Sequence, residues 1–224
     1  MAPQSVAISF TGGKDSLLAL HRVVEQGYKV AVLVTFAPPD KPFRAHPMAI
    51  IKAQSQALNI PHVICTITGP HYLESYREKL QQLKEEYGIH GLVTGDILQV
   101  CSDFMERACK DIVTLIRPLW QLSRQELLQD MWQRPFEIMV TCINRRKLST
   151  SDENNGVGDI LSLEWIKKHV DINNADICGE YGEFHSAVLD APLYINGKIN
   201  VDGYQKEEGD YIFYHVLSAE IVSR

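Results

Sequence analysis

Two short stretches hold the residue types from which chemistry is made. The first, Thr11-Gly12-Gly13-Lys14-Asp15-Ser16, follows the apolar run Val6–Phe10 and opens directly into a helical pattern. Two adjacent glycines let the backbone turn tightly and bring its N–H groups close to an anion. The helix start adds unpaired N–H groups and the positive end of its dipole. Lys14 supplies a formal cation and Ser16 a hydroxyl, both suited to pyrophosphate oxygens, while Asp15, an anion beside phosphates, makes sense as a holder of Mg²⁺ or as an orienter of backbone N–H groups. The pattern is not a Walker A loop, because Ile8 stands five positions before Gly13, where that loop needs glycine, and Asp15 directly follows the lysine, where it needs Ser or Thr. A plain strand-to-helix turn explains the glycines but not their coincidence with a lysine and a hydroxyl.

The second stretch, Cys178-Gly179-Glu180-Tyr181-Gly182-Glu183-Phe184-His185-Ser186, carries two glycine-flanked glutamates interleaved with two aromatics. Its glycines disfavour a helix. In an irregular loop Glu180, Tyr181, Gly182, Glu183 and Phe184 can form a concave wall that attracts a cation by charge and by cation–π contact. Composition alone leans towards a surface turn with solvated glutamates, since acidic glycine-rich turns are common. A third stretch, Thr94-Gly95-Asp96, ends an apolar run, so Gly95 and Asp96 can approach a ribose or an α-phosphate, with a simple turn equally compatible.

Alternation of short apolar runs with helical periodicity supplies the frame for these residues. Asp15–Gln26 repeats apolar residues at helical spacing and stops at Gly27, and Tyr28–Phe36 reads as a strand buried on both faces. That order predicts a right-handed parallel βαβ unit. The proline-stiffened loop Ala37–His46 leads to a helix from Pro47 to about Leu58. A strand at His62–Thr68, a long helix at Tyr72–Tyr87 ended by Gly88, a strand at His90–Thr94, a helix at Ile97–Lys110 and a strand at Ile112–Ile116 complete an α/β sheet flanked by helices. Arg117-Pro118-Leu119-Trp120 breaks the pattern, which predicts domains at 1–118 and 119–224. In the second, Ser123-Arg124-Gln125-Glu126 is a capping box for a helix to about Trp132, and Phe136–Ile143 is a strand. Leu148–Gly158 reads as a mobile loop able to act as a lid, and Ser162 caps a helix to His169. Asn196-Gly197 is expected to turn a hairpin between Pro192–Ile195 and Ile199–Tyr204, with a final strand at Tyr211–Val222.

Composition narrows the function class. At 224 residues and 45% hydrophobic content, the chain can bury one substantial core or one core with a smaller appended domain. Its apolar runs are too short to span a bilayer, and no basic N-terminal region precedes a long apolar core, so a cytoplasmic protein without a membrane partner is expected. The five cysteines form no C-x-x-C pair, so neither disulfides nor a cysteine metal site is indicated. The charge of −6 at pH 7 argues against a broad nucleic-acid footprint.

Thr11–Ser16 resembles the Ser-Gly-Gly-x-Asp-Ser signature of the ATP pyrophosphatases, the PP-loop or N-type enzymes, with Thr11 in place of the usual Ser. Cys178-Gly179-Glu180-Tyr181-Gly182-Glu183-Phe184 followed by Val188-Leu189-Asp190-Ala191-Pro192-Leu193-Tyr194 is similar to the C-terminal signature of the diphthine–ammonia ligase family among them. Thr94–Leu98, Glu106–Cys109 and Pro118–Trp120 extend the likeness over nearly the full length. Tyr181 stands where that family usually has glycine, His185 where it has an acidic residue, and Asp96 where a small residue is common.

The resemblance implies a HUP-type ATP-binding domain with a smaller α+β substrate domain. It implies ATP with Mg²⁺ as cofactors, with Asp15 the metal-holding residue. Its partners would be ammonia or ammonium and elongation factor two bearing diphthine. The implied reaction adenylates the diphthine carboxyl and displaces AMP with ammonia, so that Lys14, Glu180 and Glu183 become the catalytic candidates. One glutamate would take a proton from the incoming nitrogen and the other face the trimethylammonium of diphthine. Another carboxylate substrate, a non-catalytic nucleotide sensor on the same fold, and a homodimer remain open on these residues.

Overall fold

The computed structural model describes residues 3–39, 44–99, 102–149 and 155–224. The chain divides into two compact units. The first comprises Met1–Thr11, Asp15–Pro42 and Ile60–Leu122, and the second Gly12–Lys14, Phe43–Asn59 and Ser123–Arg224. Among the described residues no helix is long and apolar enough to cross a membrane.

The first unit is built on a parallel sheet of β1 (Ser5–Ser9), β2 (Lys29–Ala37), β3 (His62–Thr66), β4 (Gly91–Val93) and β5 (Thr114–Ile116), in the spatial order β3-β2-β1-β4-β5. The order reverses between β1 and β4, the point at which open parallel sheets receive ligands at their carboxyl ends. Helix α1 (Lys14–Glu25) follows β1, and the long α3 (Tyr72–Tyr87) carries the chain from β3 to β4. Helix α3 sinks Tyr76, Leu80 and Leu83, spaced at successive turns, into a core with Ala7, Val32, Val34, Cys65 and Leu92. Phe36 stacks on Tyr76 with ring centroids 4.1 Å apart. The polar residues of α3 lie outside that stripe, as an amphipathic surface helix requires.

In the second unit α2 (Met48–Leu58) packs on an antiparallel sheet formed by β6 (Glu137–Asn144), β7 (Phe184–Asp190), β8 (Lys198–Glu208) and β9 (Tyr211–Val222), in the order β7-β6-β9-β8. Helix α5 (Arg124–Gln133) begins with the expected box: Ser123 Oγ accepts from the Glu126 N–H at 3.2 Å, and the Glu126 carboxylate accepts from the Ser123 N–H at 2.9 Å. Ser162 caps α6 (Leu163–His169), its Oγ accepting from the Trp165 N–H at 3.1 Å.

Two expectations are corrected. The helix foreseen at Ile97–Lys110 is only the six-residue α4 (Phe104–Cys109), because Ser102 sits at φ 57, a left-handed conformation that ends regular helix. The hairpin turns at Gly209-Asp210, where Glu208 pairs with Tyr211 and Gly209 adopts φ 60. Asn196-Gly197 instead serves α2: the Ile195 and Asn196 N–H groups donate to the Ala57 carbonyl, and Asn196 Nδ2 to that of Gln56. The ends of the expected lid are buried, with Leu148 at 0%, Asn155 at 2% and Val157 at 2% exposure, so they are anchored in the second unit; positions 150–154 lie outside the described residues. Cys65, Cys109, Cys142 and Cys178 are buried free thiols, and burial pushes Cys109 and Cys142 up to about 12; Cys101 lies outside the described residues.

Candidate functional site

The glycine corner is shaped first by the end of β1. The Phe10 N–H donates to the Val34 carbonyl at 2.7 Å, and Thr35 Oγ1 donates to the Phe10 carbonyl at 2.7 Å, so β2 fixes the point from which the chain turns. Gly12 then takes φ 73, which glycine adopts without the Cβ penalty. Two groups of the second unit converge on its carbonyl: the Val188 N–H at 3.1 Å and Gln54 Nε2 at 2.8 Å. The Lys14 N–H donates to Ser186 Oγ at 3.3 Å. Strand β7 is an edge strand, so its outer side is available to receive Gly12–Lys14.

Lys14 is 4% exposed. Its Nζ lies 3.9 Å from Glu180 Oε1 and 5.8 Å from the centroid of the Phe184 ring, so charge and an aromatic face both address the ammonium. His46 and His185 meet edge to face at 5.0 Å beside them. Burial, helped by His185 and Lys14, lowers His46 to about 3, so that imidazole is neutral at ordinary pH. The site thus gathers one lysine, one carboxylate, an aromatic face and a neutral imidazole.

The two glutamates differ. Glu180 is partly exposed and paired with Lys14. Glu183 is 4% exposed, and both of its oxygens accept from main-chain amides: Oε2 from Tyr181 at 2.9 Å and Oε1 from Asp176 at 3.4 Å. Its geometry is that of a staple closing the loop. Gly179 at φ 74 has no room for a side chain, since a Cβ would stand 2.9 Å from the Phe184 carbonyl oxygen. Gly182 also turns through positive φ, and Tyr181 projects outward at 63% exposure, its carbonyl accepting from Lys147 Nζ. An Arg124–Asp176 ion pair of 2.9 Å and the Cys178 N–H bond to Asp176 Oδ1 brace the base of the loop.

In the first unit, Gly95 faces the beginning of α1. A Cβ there would stand 2.8 Å from the Asp15 carbonyl carbon and 2.9 Å from the Ser16 nitrogen, so the Thr94-Gly95-Asp96 turn needs glycine for close backbone approach. Thr94 Oγ1 donates to Asp96 Oδ2 at 2.7 Å, and burial raises the Asp96 carboxyl above its ordinary range against the pull of that hydroxyl and of Arg117. Arg117 pairs with Glu106 at 2.8 Å and lies 3.8 Å over the Trp120 ring, which ties Glu106–Cys109 to Pro118–Trp120. Ser16 is buried, whereas Thr11 and Asp15 are half-buried. Among the described residues no group of three or more His, Cys, Asp or Glu can hold a metal ion by itself.

Of the residues singled out from sequence, Lys14, Glu180 and Phe184 come together, as do Gly95, Asp15 and Ser16. Gln54, Ser186 and His46 escaped that reading. Gln54 had a visible signal: it is a polar residue at position 54 in the stripe Ile50, Ile51, Ala53, Ala57, Leu58 that α2 buries.

Residues 4–114 match the family model described as the diphthamide synthase N-terminal domain, and residues 123–221 that described as the diphthamide synthase C-terminal domain. The chain is 27% identical to proteins named diphthine–ammonia ligase from Rattus norvegicus and Bos taurus, and 25% identical to one from Homo sapiens. Each alignment covers 88% of this chain and 82% of the relative.

Proposed function

This chain belongs to the diphthamide synthase family, carrying both of its domains in order, and from that premise we propose that it is an ATP-dependent amide ligase acting on the diphthine carboxyl of elongation factor two. A carboxylate is a poor acyl donor because its oxygen is a poor leaving group. Attack of a carboxylate oxygen on the α-phosphorus of ATP breaks the bond to the β-bridging oxygen, and pyrophosphate departs with that electron pair. Ammonia then adds through its lone pair to the acyl carbon of the adenylate, the carbon–oxygen bond to AMP breaks, and a base takes the proton that the nitrogen sheds.

In this reading Thr11, Gly12, Gly13, Lys14, Asp15 and Ser16 hold the triphosphate, and Gly95 and Asp96 adjoin the nucleotide. Lys14 offsets charge developing on pyrophosphate, an effect of about 3 kcal/mol for a well-placed donor. Mg²⁺ suits the donor set: it takes one or two carboxylates with phosphate oxygens rather than an all-protein cage, and Asp15 is the carboxylate to hold it. Bound there, it supplies charge screening to the phosphates. Glu180 receives ammonium and accepts its proton, while Glu183 keeps the loop in shape. Tyr181 and Gly182 form the wall towards the fixed cation of diphthine, whereas Phe184, expected there from sequence, is buried behind it against Lys14 and Trp165.

The observation that carries this reading is the 3.9 Å approach of Lys14 to Glu180, because the cation that draws off pyrophosphate and the carboxylate that receives ammonia must serve one acyl adenylate. The protein incubated with ATP, Mg²⁺, ammonium and diphthine-bearing elongation factor two is expected to yield a modified histidine lighter by the difference between hydroxyl and amino, read by mass spectrometry, with one AMP released per amide. ADP and orthophosphate as sole products, or no turnover, would refute it.

A further inference from the structure

Gln54 is fully buried in the apolar stripe of α2, a position at which a leucine or methionine would pack without polar cost. Both of its amide hydrogens go to main-chain carbonyls, to Gly12 at 2.8 Å and to Val188 at 2.9 Å. Its Oε1 has no hydrogen-bond partner among the described residues and lies against Gly12, where any Cβ would overlap it. A buried, unsatisfied acceptor is destabilising, so packing alone does not account for a glutamine here.

The peptide that it grips joins two glycines, and such a peptide turns over readily because neither neighbour carries a Cβ. In a planar trans peptide the C=O and N–H point in opposite directions. Donation from Gln54 and from the Val188 N–H to the Gly12 carbonyl therefore directs the Gly13 N–H away from α2 and β7. Two residues further along the same segment, Ser186, also on β7, takes the Lys14 N–H. We propose that Gln54 is a positioning residue of the phosphate loop, holding the Gly12–Gly13 peptide so that the Gly13 N–H faces the pyrophosphoryl group. The proposal rests on the reading of Thr11–Ser16 as that loop.

Titration calorimetry with inorganic pyrophosphate and with ATP tests it on the full chain. Gln54→Leu should weaken both by about tenfold or more, the size of one misdirected hydrogen bond to a charged group. Tyr194→Phe is the control: its hydroxyl hydrogen-bonds with Gln54 and donates to the same Val188 carbonyl at 3.0 Å, while both donors to the Gly12 carbonyl stay in place, so it should lower the melting temperature and leave pyrophosphate affinity unchanged. Gln54→Glu decides the matter if the leucine variant does not fold. Its ionised carboxylate would face two carbonyls, and its protonated form regains one donor, so its pyrophosphate affinity relative to wild type should recover as pH falls. Wild-type affinity in Gln54→Leu, or a flat ratio across pH in Gln54→Glu, overturns the proposal while leaving the proposed function intact. Wild-type protein that binds neither ATP nor pyrophosphate overturns both.

Discussion

Exchanging each glutamate of the 178–186 loop for glutamine should separate scaffold from chemistry. In Glu183→Gln the side chain keeps one acceptor oxygen and gains an NH₂ that must face an amide donor. The cheaper arrangement keeps the 2.9 Å bond from Tyr181 and turns the NH₂ towards the Asp176 N–H, now 3.4 Å from the carboxylate. At 4% exposure water cannot relieve that conflict, so the loss is about 2 kcal/mol, the worth of a hydrogen bond to a charged group. For a chain of this size it lowers the melting temperature by about 4–8 °C. Glu180→Gln removes the charge of a 3.9 Å partner of the buried Lys14 but keeps an amide oxygen towards the ammonium, so a loss of stability is expected here too and is not what distinguishes this variant. Its effect should appear in chemistry, as a fall of about a hundredfold or more in amide formation with ATP affinity retained. Thermal unfolding followed by circular dichroism, beside single-turnover amidation, reads both. Wild-type melting in Glu183→Gln together with collapsed amidation would refute the division, as would undiminished amidation in Glu180→Gln.

Lys14→Met should slow pyrophosphate release about a hundredfold, the rate equivalent of about 3 kcal/mol, in a rapid-quench assay, with the main-chain bond to Ser186 retained. Gly95→Ala must push the first turn of α1, because the new Cβ meets backbone rather than a flexible side chain; weaker ATP binding and a lower melting temperature are expected by calorimetry. His46 is held at about 3 in the fold against an ordinary 6.5, so between those values the unfolded chain binds the additional proton and stability falls as pH drops, by about 1.4 kcal/mol per pH unit. His46→Gln should flatten that part of the acid limb in urea melts at graded pH.

Local signals proved reliable where one cause dominates. Glycine and helix periodicity marked α3 residue for residue, and the Ser123 capping box formed as its spacing implies. Reading failed where a distant partner decides. Nothing local in Ile97–Lys110 announces the left-handed Ser102, and Asn196-Gly197 has hairpin chemistry that is overridden by its bonds to the end of α2. Glu180 and Glu183 look equivalent in sequence because their difference lies in which finds Lys14 and which finds two backbone amides. Gln54 acts on a residue 42 positions away, a relation that no motif encodes.

The charge arrangement around Lys14 follows from what anchors each part of that residue. Its main chain is fixed on Ser186, and its ammonium lies near the Phe184 ring. The 3.9 Å separation from Glu180 exceeds the roughly 2.8 Å of a direct charge-assisted hydrogen bond. Burial keeps the neighbouring His46 uncharged, so no imidazolium at that position repels the lysine or competes for the carboxylate. On the proposed function, a lysine located by its backbone and packed against an aromatic ring would turn from this carboxylate to phosphate oxygens when nucleotide binds. Glu180 would then lose one of the cations near it, with Arg124 remaining, and would bind a proton more readily, the change required of a group that is to take a proton from ammonium. Nucleotide binding and readiness for ammonia would thereby be linked through a single side chain.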